Sequence, residues 1–306
     1  MFNGPSANRL LPIYNADRPE IQEFVAAMRT VLDAYPERVF IGEIYLSVKQ
    51  LVSFYGKDLR GANLPFNFQL ILCAWNAETI AQIIRDYEAA LPKGAWPNWV
   101  LGNHDQARIA SRIGKEQARV AAMLLLTLRG TPTIYYGKEI GMVNVPVPSG
   151  EVQDPAEKNE PGLGLGRDPE RSPMPWDNSP HAGFTQAKPW LPLGVDHTQL
   201  NVASLSLQSD SILNLYRRLI RLRRKNEVMI SGGIENIKAE GSVLSYDRRD
   251  DTQHFVILLN LGHEPQESVF GKGQIVTSTF LDRAKEFISG KVSLRPAEGL
   301  IVAGEI

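Results

Sequence analysis

The sequence has 306 residues, of which 43% are hydrophobic and 22% are charged, and this composition is typical of a soluble globular protein rather than a disordered one. Lys and Arg number 33 against 34 for Asp and Glu, so the formal net charge is -1. No excess of positive charge favours nucleic acid or an anionic membrane, and we therefore expect a neutral small-molecule partner.

The cysteine content and the apolar runs bear on cellular location. Cys73 is the single cysteine, which excludes an intramolecular disulfide and fits a reducing compartment. Residues 1–20 lack the pattern of a secretory signal, and no apolar run approaches the roughly 20 residues that span a bilayer. These features predict a cytoplasmic protein.

The first predicted elements are a loop and a helix. Residues 1–20 are rich in Asn, Pro and Gly, which is typical of a long loop, and Asn15 or Asp17 is suited to cap the helix that follows. From Pro19 to about Tyr35, apolar residues recur at spacings of three and four and predict a helix with one buried face. The residues of this face are Ile21, Phe24, Val25, Met28, Val31 and Leu32.

Strands and helices alternate over the next hundred residues. The predicted strands are Val39–Ile41, Phe66–Leu72, Trp99–Leu101 and Pro132–Tyr136. The β-branched run of the first strand suits burial on both faces of a parallel sheet. Helices are predicted over residues 80–91, starting at Asn76, and over residues 116–129. Such alternation is typical of βα units, whose parallel connections are right-handed.

Residues 144–208 follow no helical or strand period. Trp176, Phe184 and Trp190 within them favour a packed functional loop over a disordered segment. A last helix is predicted over residues 210–226. We interpret the Arg and Lys residues in its C-terminal half as a solvated face rather than a site for a polyanion.

From about residue 234 short strands replace the helical pattern. The predicted strands are Val243–Tyr246, Phe255–Leu261, Gln274–Thr279 and Leu300–Val302. A turn at Arg249, Asp250 and Asp251 separates the first two. The pattern predicts an α/β domain over residues 1–232, followed by a small antiparallel, β-sandwich-like domain over residues 233–306.

Two predicted strands run into a glycine and then a carboxylate. Glu43 follows Gly42 after the first strand, and Asp105 lies just beyond Gly102 after the third, next to His104. In an α/β barrel the loops at the C-terminal strand ends form the active site, so both acids are where catalytic groups lie. Glycoside hydrolysis needs paired carboxyl groups, because the leaving oxygen needs a proton while the opposite face of the sugar needs a nucleophile or an activated water.

Within such a pair Glu43 suits the acid. At the mouth of a barrel, partly desolvated and near other carboxylates, its proton affinity should rise to match catalysis near neutral pH. Asp105 should stay ionised beside His104 and bind sugar hydroxyls more strongly as positive charge develops on the ring. We expect the carboxyl groups of Glu43 and Asp105 to face a single sugar ring.

Four stretches of the sequence resemble the α-amylase superfamily of glycoside hydrolases, family 13, in the family's order. FIGEIY around Glu43 is similar to the third conserved region, and VLGNHDQARIASR, which contains His104 and Asp105, is similar to the fourth. GTPTIYYGKEIGM at residues 130–142 resembles the eighth barrel strand and its exit. GRDPERSPMPWD at residues 166–177 resembles a signature of the α-glucosidase and oligo-1,6-glucosidase branch.

The resemblance implies a (β/α)8 TIM barrel, of which the four predicted strands are strands five to eight, followed by a small β domain. The family's Gly-Phe-Arg-x-Asp segment, which carries the nucleophile on strand four, does not occur in this sequence. We therefore expect the second half of a barrel, with open sheet edges and uncovered apolar faces. Without the nucleophile the chain alone should not hydrolyse a glycoside.

The resemblance also implies roles for individual residues. Glu43 would be the acid/base, Asp105 the carboxylate that stabilises the transition state, and His104 a hydrogen-bond donor to the sugar in the cleaved subsite. Arg167 would hold hydroxyls of the same glucose, and Arg171 would lie nearer the entrance or form a loop salt bridge.

Further residues have less direct roles by the same resemblance. Gln106 and Arg108 would shape the adjoining subsite, and Tyr135 and Tyr136 fit the barrel core better than a ligand platform. The sequence predicts no cofactor and no metal site.

Three functions remain open at this stage. The first is an α-glucosidase-type hydrolase that cleaves short α-linked glucosides with retention. The second is a transglycosylating relative, such as a trehalose or isomaltulose synthase, or a sucrose hydrolase. The third is a non-catalytic amylase-like protein that binds a partner, against which the presence of Glu43, His104 and Asp105 argues.

Overall fold

A computed structural model of the protein describes residues 17–305, so the loop predicted at the start of the chain, with Asn15, lies mostly outside the described residues. The first part of the described chain alternates helices with short strands. Its elements are α1 Ile21–Asp33, β1 Ile41–Gly42, α2 Val48–Ser53, β2 Leu64–Pro65, α3 Gln69–Leu72, α4 Ala77–Ala90, β3 Asn98–Val100, α5 Ile109–Ile113, α6 Lys115–Thr127 and β4 Thr131–Thr133. No helix in residues 17–305 is long and apolar enough to cross a membrane.

The helices follow the apolar periodicity of the sequence. Helix α4 begins where predicted, because the side chain of Asn76 accepts the N–H of Thr79 at 2.9 Å. Its inner face buries Ile80, Ile84 and Tyr87 completely. Helix α6 is buried on nearly all sides and lies at the centre of the main hydrophobic core, as predicted. Asp17 does not cap α1, and its carboxylate instead accepts a hydrogen bond from Gln50.

The four strands form two parallel pairs. Strand β1 pairs with β2, and β3 pairs with β4. Between the pairs, the buried side chain of Asn98 donates to the carbonyl of Pro65 and accepts the N–H of Asn67 at 3.0 Å. An amide side chain therefore links β2 to β3, since their backbones are not paired in a ladder.

Two of the predicted strands are displaced in the structure. The prediction of a strand over Phe66–Leu72 is wrong, because residues 69–72 are helical and β2 lies two residues earlier. The side chain of Asn67 accepts the N–H of Gln69 at 3.1 Å, which starts this helical turn. The fourth strand ends at Thr133 rather than Tyr136, and the chain turns at Gly137 with φ 82°.

The predicted burial of α1 is also wrong. Val25 is the buried residue of the helix, whereas Phe24 is 65% exposed, Met28 53% and Val31 64%. The apolar stripe has the spacing of a core helix, but the described residues do not cover it. The exposed stripe is the clearest difference between the pattern in the sequence and the packing of this chain.

Strand β1 departs from its prediction in the same way. Val39 is 60% exposed and Ile41 is 48% exposed, so the run is not buried on both faces. Its one ladder partner among residues 17–305 is β2. The outer side of β1 is therefore open among the described residues.

The segment 144–208 is held by buried polar side chains rather than by its aromatic residues. It contains α7 Pro155–Asn159, α8 Val202–Leu207 and short 3-10 turns. Trp176, Phe184 and Trp190 are about half exposed, so the expectation that they pack this loop is wrong. Asp154 and Asp168 are each 2% exposed and organise the loop through hydrogen bonds to backbone N–H groups.

The last helices lead into the C-terminal sheet. The elements are α9 Ile212–Lys225, α10 Glu227–Ile230, β5 Gly233–Glu240, β6 Val243–Arg249, β7 His254–Asn260, β8 Gln266–Ser278, β9 Phe287–Leu294 and β10 Gly299–Gly304. Helix α9 and the four predicted strands are confirmed, whereas β5 and β9 were not predicted because mostly exposed residues form them. The strands form one antiparallel sheet in the order β5-β6-β7-β10-β8-β9.

The sheet and the helices share a single core. Leu244, Tyr246 and Ile257 of the sheet belong to the same hydrophobic cluster as α4, α6 and α9. Arg248, which is fully buried, donates hydrogen bonds to the carbonyls of Thr127, Val228, Met229, Gly232 and Gly233. A division into domains at residue 232 stays a prediction.

Candidate active site

The two predicted carboxylates flank one tyrosine. Glu43 follows β1 directly, and Asp105 lies in the loop after β3. The hydroxyl of Tyr45 accepts a hydrogen bond from Asn103 Nδ2 at 2.6 Å, and its ring stacks on Phe68 with centroids 4.2 Å apart. Burial raises the pKa of Tyr45, and the negative charges of Glu43 and Asp105 raise it further. Both acids therefore lie within electrostatic reach of the Tyr45 hydroxyl.

Asp105 is the point at which the predicted binding residues converge. Arg167 Nη1 and Arg171 Nη2 each lie 2.9 Å from its Oδ1 atom. His104 Nε2 lies 3.4 Å from the same oxygen. Arg171 also donates through Nε to the carbonyl of His104 at 2.9 Å, so it binds the loop as well as the carboxylate. Charge-assisted contacts of this kind hold a carboxylate in one orientation.

The orientation of Arg167 depends on Asp154, which the sequence reasoning missed. Oδ2 of Asp154 accepts Arg167 Nε at 2.8 Å and the Arg167 backbone N–H at 3.0 Å, and Oδ1 accepts the N–H of Ala156 at 2.9 Å. Burial alone would raise the pKa of Asp154, but these hydrogen bonds outweigh it and lower the pKa to about 2. An Asp directly before Pro155 is a helix-start signal that could have identified this residue.

Asp168 holds the backbone of Asp154 in place. The Oδ2 atom of Asp168 accepts the backbone N–H of Gln153 at 2.6 Å and of Asp154 at 2.9 Å. A chain of contacts thus runs from Asp168 through Asp154 and Arg167 to Asp105. Such supporting contacts fix functional side chains to within fractions of an ångström.

The expectation that Glu43 is partly desolvated is wrong for this chain, because its side chain is exposed. The reason is the open outer side of β1, which the described residues do not cover. His104 is also exposed, with 52% of its side chain accessible. Gln106 is half-buried, and its side chain lies close enough to the Tyr45 hydroxyl to lower the pKa of Tyr45 slightly against the larger effect of burial.

Arg108 supports the rim of the site, by which we mean the loops that carry Glu43, Asp105, Arg167 and Arg171. It does not line a subsite. It is 4% exposed, and its guanidinium carbon lies 4.7 Å from the ring centroid of Tyr136 and 5.2 Å from that of Tyr135. The two tyrosine hydroxyls donate to the carbonyls of Ser172 and Glu170. They tie the exit of β4 to the segment that carries Arg167 and Arg171.

Two buried ionisable side chains lie near this rim. Burial raises the pKa of Glu170 to about 6, although Arg171 and Arg108 oppose the shift. Burial likewise lowers the pKa of Lys138 to about 7. Within residues 17–305 no group of three or more His, Cys, Asp or Glu side chains is arranged to hold a metal ion.

The arrangement combines an accessible carboxyl group, that of Glu43, with a second carboxyl group held in place by arginines, that of Asp105. Glu43 can exchange a proton with a bound molecule because its carboxyl group is exposed. Asp105 keeps acceptor capacity at Oδ2, while the arginines around it supply N–H donors. Donors and acceptors at one rim suit a neutral ligand rich in hydroxyl groups.

Known proteins match the chain over most of its length. A sequence profile of the alpha amylase catalytic domain matches residues 6–232. A salivary alpha-glucosidase of Aedes aegypti is 35% identical over 264 residues, which cover 81% of this chain and 45% of that protein. An amino acid transporter heavy chain of Homo sapiens is 32% identical over 300 residues, which cover 92% of this chain and 42% of that protein.

A solved structure shows the same fold. The crystal structure of an alpha-glucosyl transfer enzyme is 28% identical and superposes with a TM-score of 0.84, covering 94% of this chain and 55% of that one. This chain spans about half the length of the curated relatives it matches. Because the catalytic-domain profile covers most of the sequence, the chain belongs to the alpha-amylase family of glycoside hydrolases.

Proposed function

We propose that this chain supplies the acid/base and the substrate-binding side of an α-glucosidase-type active site. The convergence of Arg167, Arg171 and His104 on one oxygen of Asp105 is the observation that carries the proposal. An ionised carboxylate surrounded by N–H donors matches adjacent hydroxyl groups of a sugar, each of which donates and accepts. The substrate is a short α-linked glucoside.

Each residue then has a defined role in cleavage with retention. Glu43 protonates the leaving oxygen and later activates water. Asp105 binds hydroxyls of the glucose ring more tightly as positive charge develops, and Arg167 and Arg171 hold it in place. His104 donates to a hydroxyl of the same sugar. Gln106 shapes the adjoining subsite, which binds the next sugar of the substrate.

We further propose that β1 to β4 are strands five to eight of an eight-stranded barrel, with the nucleophile on a strand outside this sequence. The exposed apolar faces of α1 and β1 support this arrangement, since a closed barrel would cover them. The lengths of the relatives and the lack of a Gly-Phe-Arg-x-Asp segment also support it. The chain alone then has no covalent route and does not hydrolyse glycosides.

A fused protein tests the proposal. The part of the Aedes aegypti alpha-glucosidase that precedes the matched region is joined to the N-terminus of this chain, and cleavage of an aryl α-glucoside is measured. We expect turnover by the fusion, none by the chain alone, and loss of turnover after Glu43→Gln. Glu116→Gln, at an exposed position of α6, is the matched control and should be as active as the parent fusion.

Two results contradict the proposal. One is a fusion that unfolds cooperatively, and is therefore folded, but has no turnover. The other is turnover that Glu43→Gln leaves unchanged while the protein stays folded. Binding of the glucoside to the Glu43→Gln fusion should persist, because the amide keeps the shape of the site.

Glucosyl transfer is a second candidate, because the solved structure that resembles this chain is a transfer enzyme. Both reactions use the same acid/base and differ in whether water or a sugar accepts the glucosyl group. Product analysis of the fusion at high maltose concentration separates them. Hydrolysis yields glucose alone, and transfer yields a trisaccharide as well.

A non-catalytic role is the third candidate, favoured by the similarity to the amino acid transporter heavy chain. The hydrogen-bonded set of Asp105, Arg167 and Arg171 argues against it, since a binding scaffold has no need of a fixed carboxylate at a strand end. A fusion that binds no glucoside would favour this role.

A further inference from the structure

A cavity of about 550 Å³ lies where α6 and the loop before α9 meet the C-terminal sheet. Its volume is within the roughly 300–1,000 Å³ of small-molecule sites, which often lie where two parts of a protein meet. The walls come from three places in the sequence: Arg119 of α6, residues 209–210, and the turns after β8 and β9. None of its lining residues belongs to the site around Asp105.

Two arginines and one aromatic ring shape the cavity. The guanidinium carbon of Arg295 lies 4.4 Å from the ring centroid of Phe280, and that of Arg119 lies 5.8 Å from it. Arg119 donates to the carbonyls of Thr279 and Asp210, so it joins the loop before α9 to the end of β8. These contacts hold the walls in place without a ligand.

The charges on the walls nearly balance. Arg295 forms two hydrogen bonds to Asp282, at 2.6 and 2.8 Å, and one to buried Glu298 at 2.6 Å. Hydrogen bonds from Arg295 are the main cause that lowers the pKa of Asp282 to about 2, so this pair stays ionised. Arg295 is therefore neutralised within the protein and does not attract an anion.

Arg119 and Asp210 differ from that pair. No carboxylate among residues 17–305 lies within ion-pair distance of Arg119, and no cation among them pairs with Asp210. The Asp210 side chain lines the cavity and is exposed. Burial lowers the pKa of Arg119, and the negative charge of Asp210 opposes this shift without an ion-pair contact. The cavity thus offers one donor group and one ionised acceptor with no net charge between them.

The remaining wall is apolar and strained. Leu281 has φ 65°, a left-handed backbone conformation that is costly for a leucine, and it faces the cavity beside Phe280. Residues held in such conformations occur preferentially at binding sites. A ligand here meets an apolar surface on one side and polar groups on the other.

We propose that this cavity is a second, non-catalytic binding site for a neutral saccharide. The Asp210 carboxylate accepts hydrogen bonds from two adjacent hydroxyls, and Arg119 donates to a third. The apolar face of the sugar ring packs on Leu281 and the edge of Phe280, since the two guanidinium groups lie over the Phe280 ring. Only the choice of α-linked glucose units as ligand rests on the proposed function. A site of this kind holds an oligosaccharide near the enzyme without cleaving it.

The test is a titration of this chain with maltotriose, followed by NMR of labelled leucine methyl groups. We expect a saturable shift of the Leu281 methyls with a dissociation constant in the millimolar range. Asp210→Asn removes the ionised acceptor and should weaken this binding about tenfold, the loss of one charge-assisted hydrogen bond. Asp251→Asn, at an exposed turn far along the sheet, is the matched control and should not change it.

Several results overturn the inference. Leu281 methyls that do not respond to maltotriose, or that respond equally in Asp210→Asn, show that no such site exists. A response to inorganic phosphate without one to maltotriose identifies an anion site instead. Phe280→Leu provides a second variant, which should also weaken binding, and its thermal midpoint shows whether it is folded.

This readout is independent of catalysis. Glu43→Gln should leave the Leu281 response unchanged, since no contact links the two regions. A fusion without glycosidase activity whose Leu281 methyls still respond contradicts the proposed function but not this site. A fusion that has glycosidase activity but whose Leu281 methyls do not respond to maltotriose contradicts the second saccharide site and leaves the proposed function intact.

Discussion

Arg167 Nη1 lies 2.9 Å from Oδ1 of Asp105, and this contact is fixed from the opposite end of the guanidinium by a second carboxylate. Asp154, whose side chain is fully buried, accepts Arg167 Nε at 2.8 Å. The arginine therefore cannot turn away from Asp105 without breaking its contact with a buried carboxylate. The position of the proposed transition-state carboxylate depends on a residue that does not touch it.

We predict that Asp154→Asn lowers the free energy of unfolding at pH 7 by about 2 kcal/mol, because an amide removes the charge that Arg167 and two backbone N–H groups bind at this buried position. The pKa of Asp154 falls from an ordinary 3.8 to about 2 on folding. A lowered pKa stabilises the fold above about pH 4, and this contribution of about 2 kcal/mol is lost as the pH falls towards 2. Urea unfolding between pH 2 and 7 measures it.

The decisive quantity is the difference in the free energy of unfolding between the parent chain and Asp154→Asn. Asp282 titrates in the same range, but it does so in both proteins and cancels. This difference in the free energy of unfolding should therefore become steadily smaller below pH 4. Glu151→Gln, which breaks the exposed ion pair with Lys188, is the control and should cost less than about 1 kcal/mol. A difference that is independent of pH would show that Asp154 acts through packing alone.

The sequence predicted the elements whose pattern is local. Helices α4, α6 and α9 follow from apolar spacing, and Asn76 and Asp250 follow from capping and turn chemistry. Glu43, His104, Asp105, Arg167 and Arg171 were selected at strand ends and by resemblance, and four of the five meet at Asp105. The local signals and the family motifs thus selected residues that the structure brings together, whereas the roles of these residues stay predictions.

The contacts that support the rim could not be predicted in this way. Tyr45 meets Asn103 across 58 positions, and Asp154 meets Arg167 inside a loop with no period, so neither contact leaves a pattern in the sequence. Burial of α1 was predicted wrongly because periodicity shows that a face is apolar but not what covers it. Phe24 and Val31 carry the pattern of a core and are nevertheless exposed.

A second prediction concerns Arg248, which joins β6 to the chain around α6 and α10 through hydrogen bonds to five carbonyls, four of them buried. Arg248→Met should lower the free energy of unfolding by about 3–5 kcal/mol, because the carbonyls lose their donors in a dry environment. Arg248→Lys should be nearly as harmful, since an ammonium cannot match the planar fork. Guanidinium unfolding measures both variants.

The neighbouring Arg249 provides the control for this experiment. Its side chain is exposed, and Arg249→Met should change stability by less than about 0.5 kcal/mol. Equal losses for the two positions would contradict the role of the buried guanidinium.

The third prediction concerns the exposed face of α1. Phe24→Gln, Met28→Gln and Val31→Gln together should reduce dye binding and aggregation of the chain alone, because the three side chains are more than half exposed. In the fusion the same changes should reduce stability and turnover, since a covered face then becomes polar. Val195→Gln, at a 99% exposed position, is the control. A fusion that tolerates all three changes would contradict the half-barrel.

The last prediction separates catalysis from binding at Asp105. In the active fusion, Asp105→Asn keeps the shape of the side chain but removes the charge that Arg167 and Arg171 hold in place. If the carboxylate responds to positive charge on the sugar, the interaction is stronger in the transition state than in the bound substrate, and kcat should fall by about a hundredfold or more with little change in KM. Asp86→Asn, on the exposed side of α4, should leave both constants unchanged. A raised KM with unchanged kcat would make Asp105 a binding residue, because its contribution would then be equal in the ground state and the transition state.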